Sequence, residues 1–158
     1  MAVDVAGSHT VTIRPAVPSD LDWLITQVKA FATFNRTKYF QFPTDEKARR
    51  QLQAMMEQHF MRIAERDGER LGFISAYWIY HPYNDEIPML AETFWWVDPA
   101  YRHSSAGLRL LDAFIDFAVE KRIKWLTFSL LSKSPVNERC LTSRGFVQHE
   151  RAFLLELD

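Results

Sequence analysis

The spacing of apolar residues along the chain changes several times, and each change predicts a new element. Residues 11–14 alternate apolar and polar side chains up to Pro15, which predicts a short strand. Apolar residues then recur at helical spacing twice, first up to about Phe31 and again from Thr44 onwards, which predicts two helices. Between the helices, residues 34–42 combine aromatic and basic side chains and predict a loop or a broken helix.

The middle of the chain has the pattern of strands rather than helices. Residues 60–66 and 71–80 are apolar and aromatic, and the Asp-Gly pair between them is typical of a hairpin turn. Residues 81–85 predict a loop, and residues 89–97 predict a further strand that a proline stops. This part of the chain therefore predicts three consecutive strands.

In the last third, helices and strands alternate. The pattern predicts a helix over residues 104–121, a strand over 125–130, a short helix over 136–143, and two closing strands over 146–149 and 152–157. The whole order is β-α-α-β-β-β-α-β-α-β-β. Because strands alternate with helices only in the second half, we expect an α/β fold with a mixed sheet and helices on both faces.

Composition and charge narrow the class of protein. The 158 residues suit a single domain, and we expect a flexible tail over residues 1–10 followed by one domain over residues 11–158. Lys and Arg number 19 against 20 Asp and Glu, so the net charge of −1 lacks the basic field of a nucleic-acid-binding protein. The single cysteine, Cys140, excludes an intramolecular disulfide and a thiolate zinc site, and the histidines show no metal-ligand spacing. We therefore expect no metal and interpret Cys140 as a core thiol.

Hydropathy and the N-terminus predict the compartment. The first residues lack the basic start and apolar run of a signal peptide. No apolar stretch approaches the roughly 20 residues of a membrane helix. We therefore expect a cytoplasmic protein with no membrane partner.

Candidate chemistry lies where the strand over residues 89–97 gives way to the next helix. A proline turns the chain there, and small side chains open the helix. The first-turn N–H groups of a helix have no partner inside it, and with the helix dipole they attract an anion. Small side chains would let a phosphate approach this backbone, and Arg102 would add a charged contact. The alternative is an ordinary surface helix start with capping serines.

This segment resembles the acyl-CoA-binding motif of the GNAT superfamily of N-acyltransferases. The family pattern, Arg/Gln-x-x-Gly-x-Gly/Ala after a Val-x-Pro strand end, stands here as Arg102-x-x-Ser105-x-Gly107 after Val97-x-Pro99, with Ser105 replacing the first glycine. The resemblance extends over residues 11–157. Its other pieces are the opening Ile13-Arg14-Pro15-Ala16, the hairpin Gly68-x-x-x-Gly72-Phe73-Ile74 and the closing Arg144-Gly145-Phe146.

The resemblance implies a fold, a cosubstrate and a reaction. The implied fold is GNAT-like, with a mostly antiparallel central sheet, and the implied reaction moves an acetyl group from acetyl-CoA to a primary amine by direct attack. In this family the pantetheine arm lies beside the strand before the motif, and the pyrophosphate lies on the motif's N–H groups. The implied acetyl-CoA contacts are Trp95, Val97, Arg102, His103, Ser104, Ser105, Ala106, Gly107 and Ser134.

Glu92 is the candidate general base. It lies on the strand that leads into the motif, where family members often carry a catalytic Glu, and burial among apolar neighbours would raise its pKa. The alternative is a strand Glu that faces solvent, and a β-bulge would change its face. Family members often use a Tyr four residues before the Gly-Phe pair to protonate the leaving thiolate, but Leu141 stands there. We name Tyr80 as the replacement acid, with His81, Tyr83, His103 and water as alternatives.

The acceptor cannot be identified from the sequence, but its side of the cleft is aromatic. Aromatic residues make up 14% of the chain, more than a core of this size needs. The family's acceptor-side loops correspond to residues 31–42 and 77–85, which favour a small, partly apolar amine or a peptide end. The candidate acceptor contacts are Phe34, Tyr39, Phe40 and Tyr80. The alternative is that these aromatics pack on each other or form a homodimer interface.

Two other functional interpretations compete with an active N-acetyltransferase. Leu141 and Ser105 both depart from the family pattern, and they motivate a catalytically weak acyl-CoA-binding or protein-interaction module. A domain for another nucleotide would need a different phosphate motif, and the chain contains neither G-x-x-x-x-G-K-S/T nor G-x-G-x-x-G.

Overall fold

The computed structural model describes residues 9–35 and 41–157, and its centre is a five-stranded sheet. The strands lie side by side in chain order, antiparallel except for the last pair, which is parallel. They are β1 (Thr12–Pro15), β2 (Phe60–Arg66), β3 (Glu69–His81), β4 (Asn84–Val97) and β5 (Trp125–Thr127). The α/β fold class with a mixed, mostly antiparallel sheet is confirmed.

Helices cover both faces of the sheet, as the sequence predicts. They are α1 (Leu21–Asn35), α2 (Asp45–Gln58), α3 (Ala106–Glu120) and the short α4 (Arg139–Thr142). One core packs α1 and α2 on Phe73 and Trp96, and the other packs α3 on Ile74 and Leu90. No described helix has the length and apolar character that crossing a membrane requires.

The two hairpins differ in how well the sequence predicted them. Asp67 and Gly68 form the tight turn between β2 and β3, and both have the positive φ that this turn type needs. The loop expected over residues 81–85 is instead a two-residue turn, because β3 and β4 continue pairing as far as His81 and Asn84. Tyr77, Trp78 and Tyr80 therefore lie on a strand, as the pattern over residues 71–80 predicts, and not on the acceptor-side loop expected over residues 77–85. They extend beyond Ala76, where the pairing of β3 with β2 ends.

The two predicted closing strands are wrong for the described structure. No ladder includes residues 146–157, and β5 ends at Thr127 instead of residue 130. Phe146 packs against the α3-side core, but the exposed fractions of Phe153 and Leu155 are 93% and 78%, so residues 151–157 bury no face against the sheet. An alternating pattern predicts a strand only if a partner supplies the backbone hydrogen bonds, and that condition is not visible in the sequence. The glycine stop after α4 is confirmed, since Gly145 has a φ of +91°.

A buried carboxylate fixes the start of α1 against the sheet. Asp20 is fully buried and accepts hydrogen bonds from Arg14 Nη1 and Nη2, Arg70 Nε and the backbone N–H of Val17. Burial alone would raise its pKa, but the hydrogen bonds from Arg14, Val17 and Arg70 outweigh burial and lower the pKa to about 2. The carboxylate therefore stays charged and links β1, β3 and α1.

Candidate active site

A β-bulge separates the faces of Glu92 and Phe94. In the ladder between β3 and β4, Ala76 lies opposite Glu92 and Ser75 lies opposite Phe94, so Thr93 is an extra residue. Strict alternation would put Glu92 and Phe94 on the same face. Residues directly opposite each other share a face, so Glu92 lies with Ala76 towards α3, and the bulge turns Phe94 towards α1.

The bulge is held by a buried pair of hydroxyls. Ser75 is fully buried, and its Oγ lies 2.7 Å from Thr93 Oγ1. The pair satisfies both polar groups inside the core, where an unpaired hydroxyl would be costly. Neither residue was among the sequence-predicted site residues, because a Ser and a Thr on neighbouring strands carry no signal of their register.

Glu92 lies where β4 and β5 separate. The parallel ladder between these strands ends at the pair Ala91 and Thr127. Beyond it, Ser129 reaches back across the opening, and its backbone N–H donates to Glu92 Oε2 at 3.3 Å. No described strand pairs with the outer edge of β4 after Ala91, so the ladder between β4 and β5 ends beside the carboxylate.

The environment of Glu92 suits a proton acceptor. Burial raises the pKa of its carboxyl group to about 8, and the hydrogen bond from Ser129 lowers it by less. A carboxyl with a pKa near neutral pH can take a proton and release it again, which is the property that a general base needs. A strongly perturbed carboxyl at the edge of a gap is also what distinguishes functional sites from ordinary surface carboxylates.

The start of α3 adjoins the end of β4. Trp95 Nε1 donates to the carbonyl oxygen of Gly107 at 3.0 Å. Gly107 faces Val97, because a Cβ placed there would lie 3.6 Å from Val97 Cγ2. The bulge puts Trp95 and Val97 on the α3 side together with Glu92, since they pair with Ile74 and Gly72. Glu92, the candidate base, therefore lies on the same face of the sheet as Trp95 and Val97, which the resemblance assigns to acetyl-CoA binding.

The serines before α3 have different roles. Ser104 Oγ donates to the carbonyl of Tyr101 at 2.6 Å and accepts from the N–H of Ala106 at 3.2 Å. Ser105 is the N-cap residue, yet its side chain makes no capping hydrogen bond. Ser104 thus makes the capping interaction that an ordinary surface helix start would have. The Ser105 side chain is exposed and does not cap the first-turn N–H groups of α3.

Arg102 and Phe34, which the sequence assigned to opposite sides of the cleft, are in contact. The guanidinium carbon of Arg102 lies 4.8 Å from the ring centroid of Phe34 and 4.6 Å from that of Trp96. Arg102 Nε donates to the carbonyl of Val97 at 3.2 Å, and Trp96 Nε1 donates to Gln27 Oε1 at 2.9 Å. Sequence reasoning missed Gln27 and Trp96, because only the fold brings α1 onto this end of β4.

The remaining predicted site residues are not brought to Glu92. Tyr80, the predicted acid for the leaving thiolate, lies four positions beyond Ala76 on β3, about 13 Å at strand rise, and is 63% exposed. His103 is exposed on the turn before α3. Ser134 accepts a hydrogen bond from the N–H of Val136 in a turn after β5. The predicted acceptor contacts Tyr39 and Phe40 lie outside the described residues.

The structure also shows the surroundings of Leu141, which stands where the family often has a Tyr, and of Cys140, which the sequence interpretation assigns to the core. Leu141 is buried in the α3-side core, so the position where the family often has a Tyr offers no proton donor. Cys140 is half-buried against the same core, and burial raises the pKa of its thiol. A thiol with a raised pKa is a poor nucleophile at neutral pH.

Comparison with solved structures finds the same architecture in acetyltransferases. A predicted acetyltransferase from Clostridium acetobutylicum, solved with acetyl-CoA, superposes with a TM-score of 0.74 at 16% identity, covering 93% of this chain and 96% of that one. An aminoglycoside acetyltransferase from an uncultured soil metagenomic sample, in complex with sisomicin, gives 0.69 at 19% identity over 94% and 95%. The ribosomal-protein-alanine N-acetyltransferase of Brucella melitensis biovar Abortus gives 0.70 at 18% over 94% and 100%. At these identities the likeness establishes the fold.

Sequence comparison establishes the family. A search of curated protein sequences finds no significant match. The sequence profile of the acetyltransferase (GNAT) family, however, matches residues 28–145, a span that contains α2, α3, α4, strands β2 to β5 and all but the first part of α1. This match and the fold agree with the resemblance carried by the motif at Arg102, Ser105 and Gly107. The chain belongs to the acetyltransferase (GNAT) family.

Proposed function

We propose that this protein transfers the acetyl group of acetyl-CoA to a primary amine, with Glu92 as the general base. The observation that carries the proposal is the position of Glu92: its carboxyl group has a pKa of about 8 and lies at the opening between β4 and β5. It shares the α3 face with Trp95 and Val97, which adjoin the start of α3.

The donor half of the site fits an acyl-CoA. The gap after the Ala91–Thr127 pair leaves the outer backbone edge of β4 available for the amide groups of a pantetheine arm. The first turn of α3 supplies unpaired N–H groups and the positive end of the helix dipole for the pyrophosphate. Gly107 has no side chain that could block an anion at the start of α3. Even an added Cβ would make only ordinary van der Waals contacts, with Val97 and Trp95. Acetyl-CoA supplies the thioester whose carbonyl carbon is attacked.

The chemical step needs a proton to leave the acceptor before attack. Glu92 in its carboxylate form takes a proton from the acceptor ammonium, which frees the nitrogen lone pair. The nitrogen then bonds to the thioester carbonyl carbon, the C–S bond breaks, and the nitrogen releases its second proton to solvent water. Because Leu141 has no proton to give and Tyr80 lies about 13 Å along the strand, we assign protonation of the leaving thiolate to water.

The substitution Glu92→Gln tests the base. It keeps the shape of the side chain but removes the proton acceptor, so we expect kcat to fall by about 10²–10⁴ while acetyl-CoA affinity stays near wild type. Steady-state kinetics with an accepted amine and calorimetry with acetyl-CoA measure the two quantities. A variant that turns over at the wild-type rate at every pH would exclude Glu92 as the base. Wild-type protein that binds acetyl-CoA without acetylating any amine would instead favour a binding module.

The donor site has its own test in two substitutions at the start of α3. Ser105→Glu and Gly107→Glu each add a carboxylate where the pyrophosphate is proposed to lie, so bulk and like charge should abolish acetyl-CoA binding. The matched control is Arg109→Glu, an exposed change one turn further along α3 that leaves the helix start intact. Unchanged affinity in both test variants, measured by calorimetry, would contradict the assignment.

On the acceptor side, β3 and the turn after it carry exposed aromatic side chains that have two possible partners. Tyr80 and Tyr83 are 63% and 94% exposed. We propose that they contact either the acceptor or a second copy of this chain. If Tyr80→Ala raises the KM for the acceptor and leaves the molecular mass unchanged, the acceptor is the partner. A shift from dimer to monomer in light scattering identifies a homodimer interface instead.

A further inference from the structure

We infer that Phe34 is a positioning residue for the acetyl donor: it holds Arg102 in the orientation in which the guanidinium meets the pyrophosphate. The inference rests on the proposed function and moves Phe34 from the acceptor side of the cleft to the donor side. It concerns the contact between α1 and the end of β4, which the sequence does not reveal.

The geometry restrains Arg102 from two directions. Its guanidinium carbon lies over the rings of Phe34 and Trp96, whose centroids are 5.7 Å apart and whose planes meet at 64°. Its Nε is tied to the carbonyl of Val97. The two rings therefore restrain the face of the guanidinium, and the hydrogen bond to Val97 restrains its Nε edge. The two terminal nitrogens lie on the side away from this hydrogen bond. Trp96 is itself held by Gln27, so the ring under Arg102 is rigid.

Arg102 has no salt-bridge partner in the described part of the chain, and Asp98 attracts its charge only from beyond salt-bridge distance. Arg14, Arg70 and Arg144 each form a salt bridge with a carboxylate. Arg102 forms none among residues 9–35 and 41–157, although it is half-buried. Burial accordingly lowers the pKa of its guanidinium. A half-buried cation with two free terminal nitrogens is suited to an anionic ligand, and the planar guanidinium matches two oxygens of a phosphate.

The location of Arg102 indicates which anion it meets. The carbonyl oxygen of Val97 accepts the hydrogen bond from Arg102. The side chain of Val97 faces Gly107 in the first turn of α3. Ser105, the N-cap of α3, follows Arg102 by three residues. Arg102 and the first-turn amides of α3 thus converge on the end of β4. Phe34 is 38% exposed and contacts both Arg102 and Trp96, so a substitution removes two ring contacts, and the comparison of two donors below isolates the one with Arg102.

The test compares two donors that differ in the pyrophosphate. Phe34→Leu removes the ring, and we expect the Kd for acetyl-CoA to rise about 3- to 30-fold in calorimetry, the range of a cation–π contact. S-acetylpantetheine lacks the pyrophosphate, so its kcat/KM should be the same in Phe34→Leu and wild type. Phe34→Tyr keeps the ring and should restore acetyl-CoA affinity. Trp23→Leu is the matched control, because Trp23 is an aromatic of α1 that contacts Phe73 instead of Arg102.

Each alternative result has a distinct meaning. An equal loss with both donors, or a rise in the acceptor KM alone, would overturn the inference. Arg102→Gln combined with Phe34→Leu should bind acetyl-CoA no more weakly than Arg102→Gln alone, and additive losses would also overturn it. Wild-type affinity in Phe34→Leu refutes this inference only. A wild-type protein that binds no acetyl-CoA refutes the proposed function as well.

Discussion

The bulge at Thr93 shows how one extra residue in a strand changes which side chains share a face. Glu92 lies on the face on which α3 packs, and the shift after Thr93 brings Trp95 and Val97 to that same face. Burial there raises the pKa of the Glu92 carboxyl group, and the ladder between β4 and β5 ends one residue before it. Without the bulge, Glu92 and Trp95 would lie on opposite faces of the sheet.

The pKa of Glu92 predicts the pH dependence of activity. A base works only when deprotonated, so kcat/KM should rise about tenfold per pH unit below pH 8 and level off above it. The acceptor ammonium titrates too, and the ratio of wild type to Glu92→Gln with one amine removes its contribution. That ratio, measured from pH 6 to pH 9, should increase and then reach a plateau near pH 8. A ratio independent of pH would show that the titration belongs to another group.

Asp20 predicts the acid limit of stability. The pKa of its carboxyl is lowered to about 2 in the folded protein from an ordinary value of 3.8. Its contribution is therefore complete above about pH 4 and is lost as the pH falls towards 2. Asp20→Asn should lower the free energy of unfolding by about 3 kcal/mol at pH 7, because two arginines lose their buried partner.

Denaturant unfolding at pH 7 and at pH 3 measures this effect. The variant should lose less stability than wild type between the two pH values. The matched control is Asp22→Asn, whose side chain lies in the first turn of α1, is 86% exposed and pairs at the surface with Arg49 of α2. This surface pair should contribute less than about 1 kcal/mol. Equal effects of the two substitutions would contradict the assigned role of Asp20.

At the scale of elements, the close approach of β3 to β4 determines where the donor site forms. Gly72 lies opposite Val97, and a Cβ on Gly72 would be 2.5 Å from the carbonyl oxygen of Trp96 and 2.9 Å from Val97 Cα. Only a glycine permits this spacing, because the neighbouring atoms belong to backbone. The end of β4, which adjoins Gly107 and anchors Arg102, therefore depends on a residue of the preceding strand.

Gly72→Ala tests this dependence. The methyl group has to push β4 away, so we expect a loss of about 1–3 kcal/mol in the free energy of unfolding and weaker acetyl-CoA binding. Gly107→Ala is the control, because its Cβ would meet nothing closer than 3.6 Å and alanine favours a helix. Denaturant titration and calorimetry measure the two effects. Wild-type stability in Gly72→Ala would show that the strands can separate without cost.

For the whole molecule, the site combines two separately packed halves. The core of α1 and α2 supplies Phe34 and Trp96 beside Arg102, while the core of α3 supplies Trp95 and the helix start. A ligand that contacts both halves binds the folded state and not the unfolded chain. Ligand binding should therefore stabilise the domain as a whole.

A thermal shift measures this coupling. At a concentration 100 times its Kd, acetyl-CoA should stabilise the protein by about 2.7 kcal/mol, which raises Tm by roughly 5–10 °C for a domain of this size. Ser105→Glu, an exposed change at a side chain without a capping hydrogen bond, should unfold at a similar temperature without ligand and show no shift. NAD serves as the control nucleotide, and an equal shift with NAD would argue for a different nucleotide domain.

The sequence by itself determined the order of the main elements and the family, because these depend on local periodicity and on a contiguous motif. Helices α1 to α4, the first four strands and the glycine stop at Gly145 follow from spacing and turn residues within short windows. The identity of Glu92 as the candidate base also followed from its place before the motif. That Trp95 and Val97 share its face did not follow, since a bulge is a property of two paired strands.

Only the tertiary structure decided the remaining features, because each depends on residues distant in the chain. The separation of β4 from β5, the contact of Phe34 with Arg102 and the distance of Tyr80 from Glu92 arise from strand register and helix packing. The absence of ladders over residues 146–157 in the described structure has the same origin. Alternation in one segment indicates which of its side chains share a face. Which strand supplies the backbone hydrogen bonds depends on the whole fold.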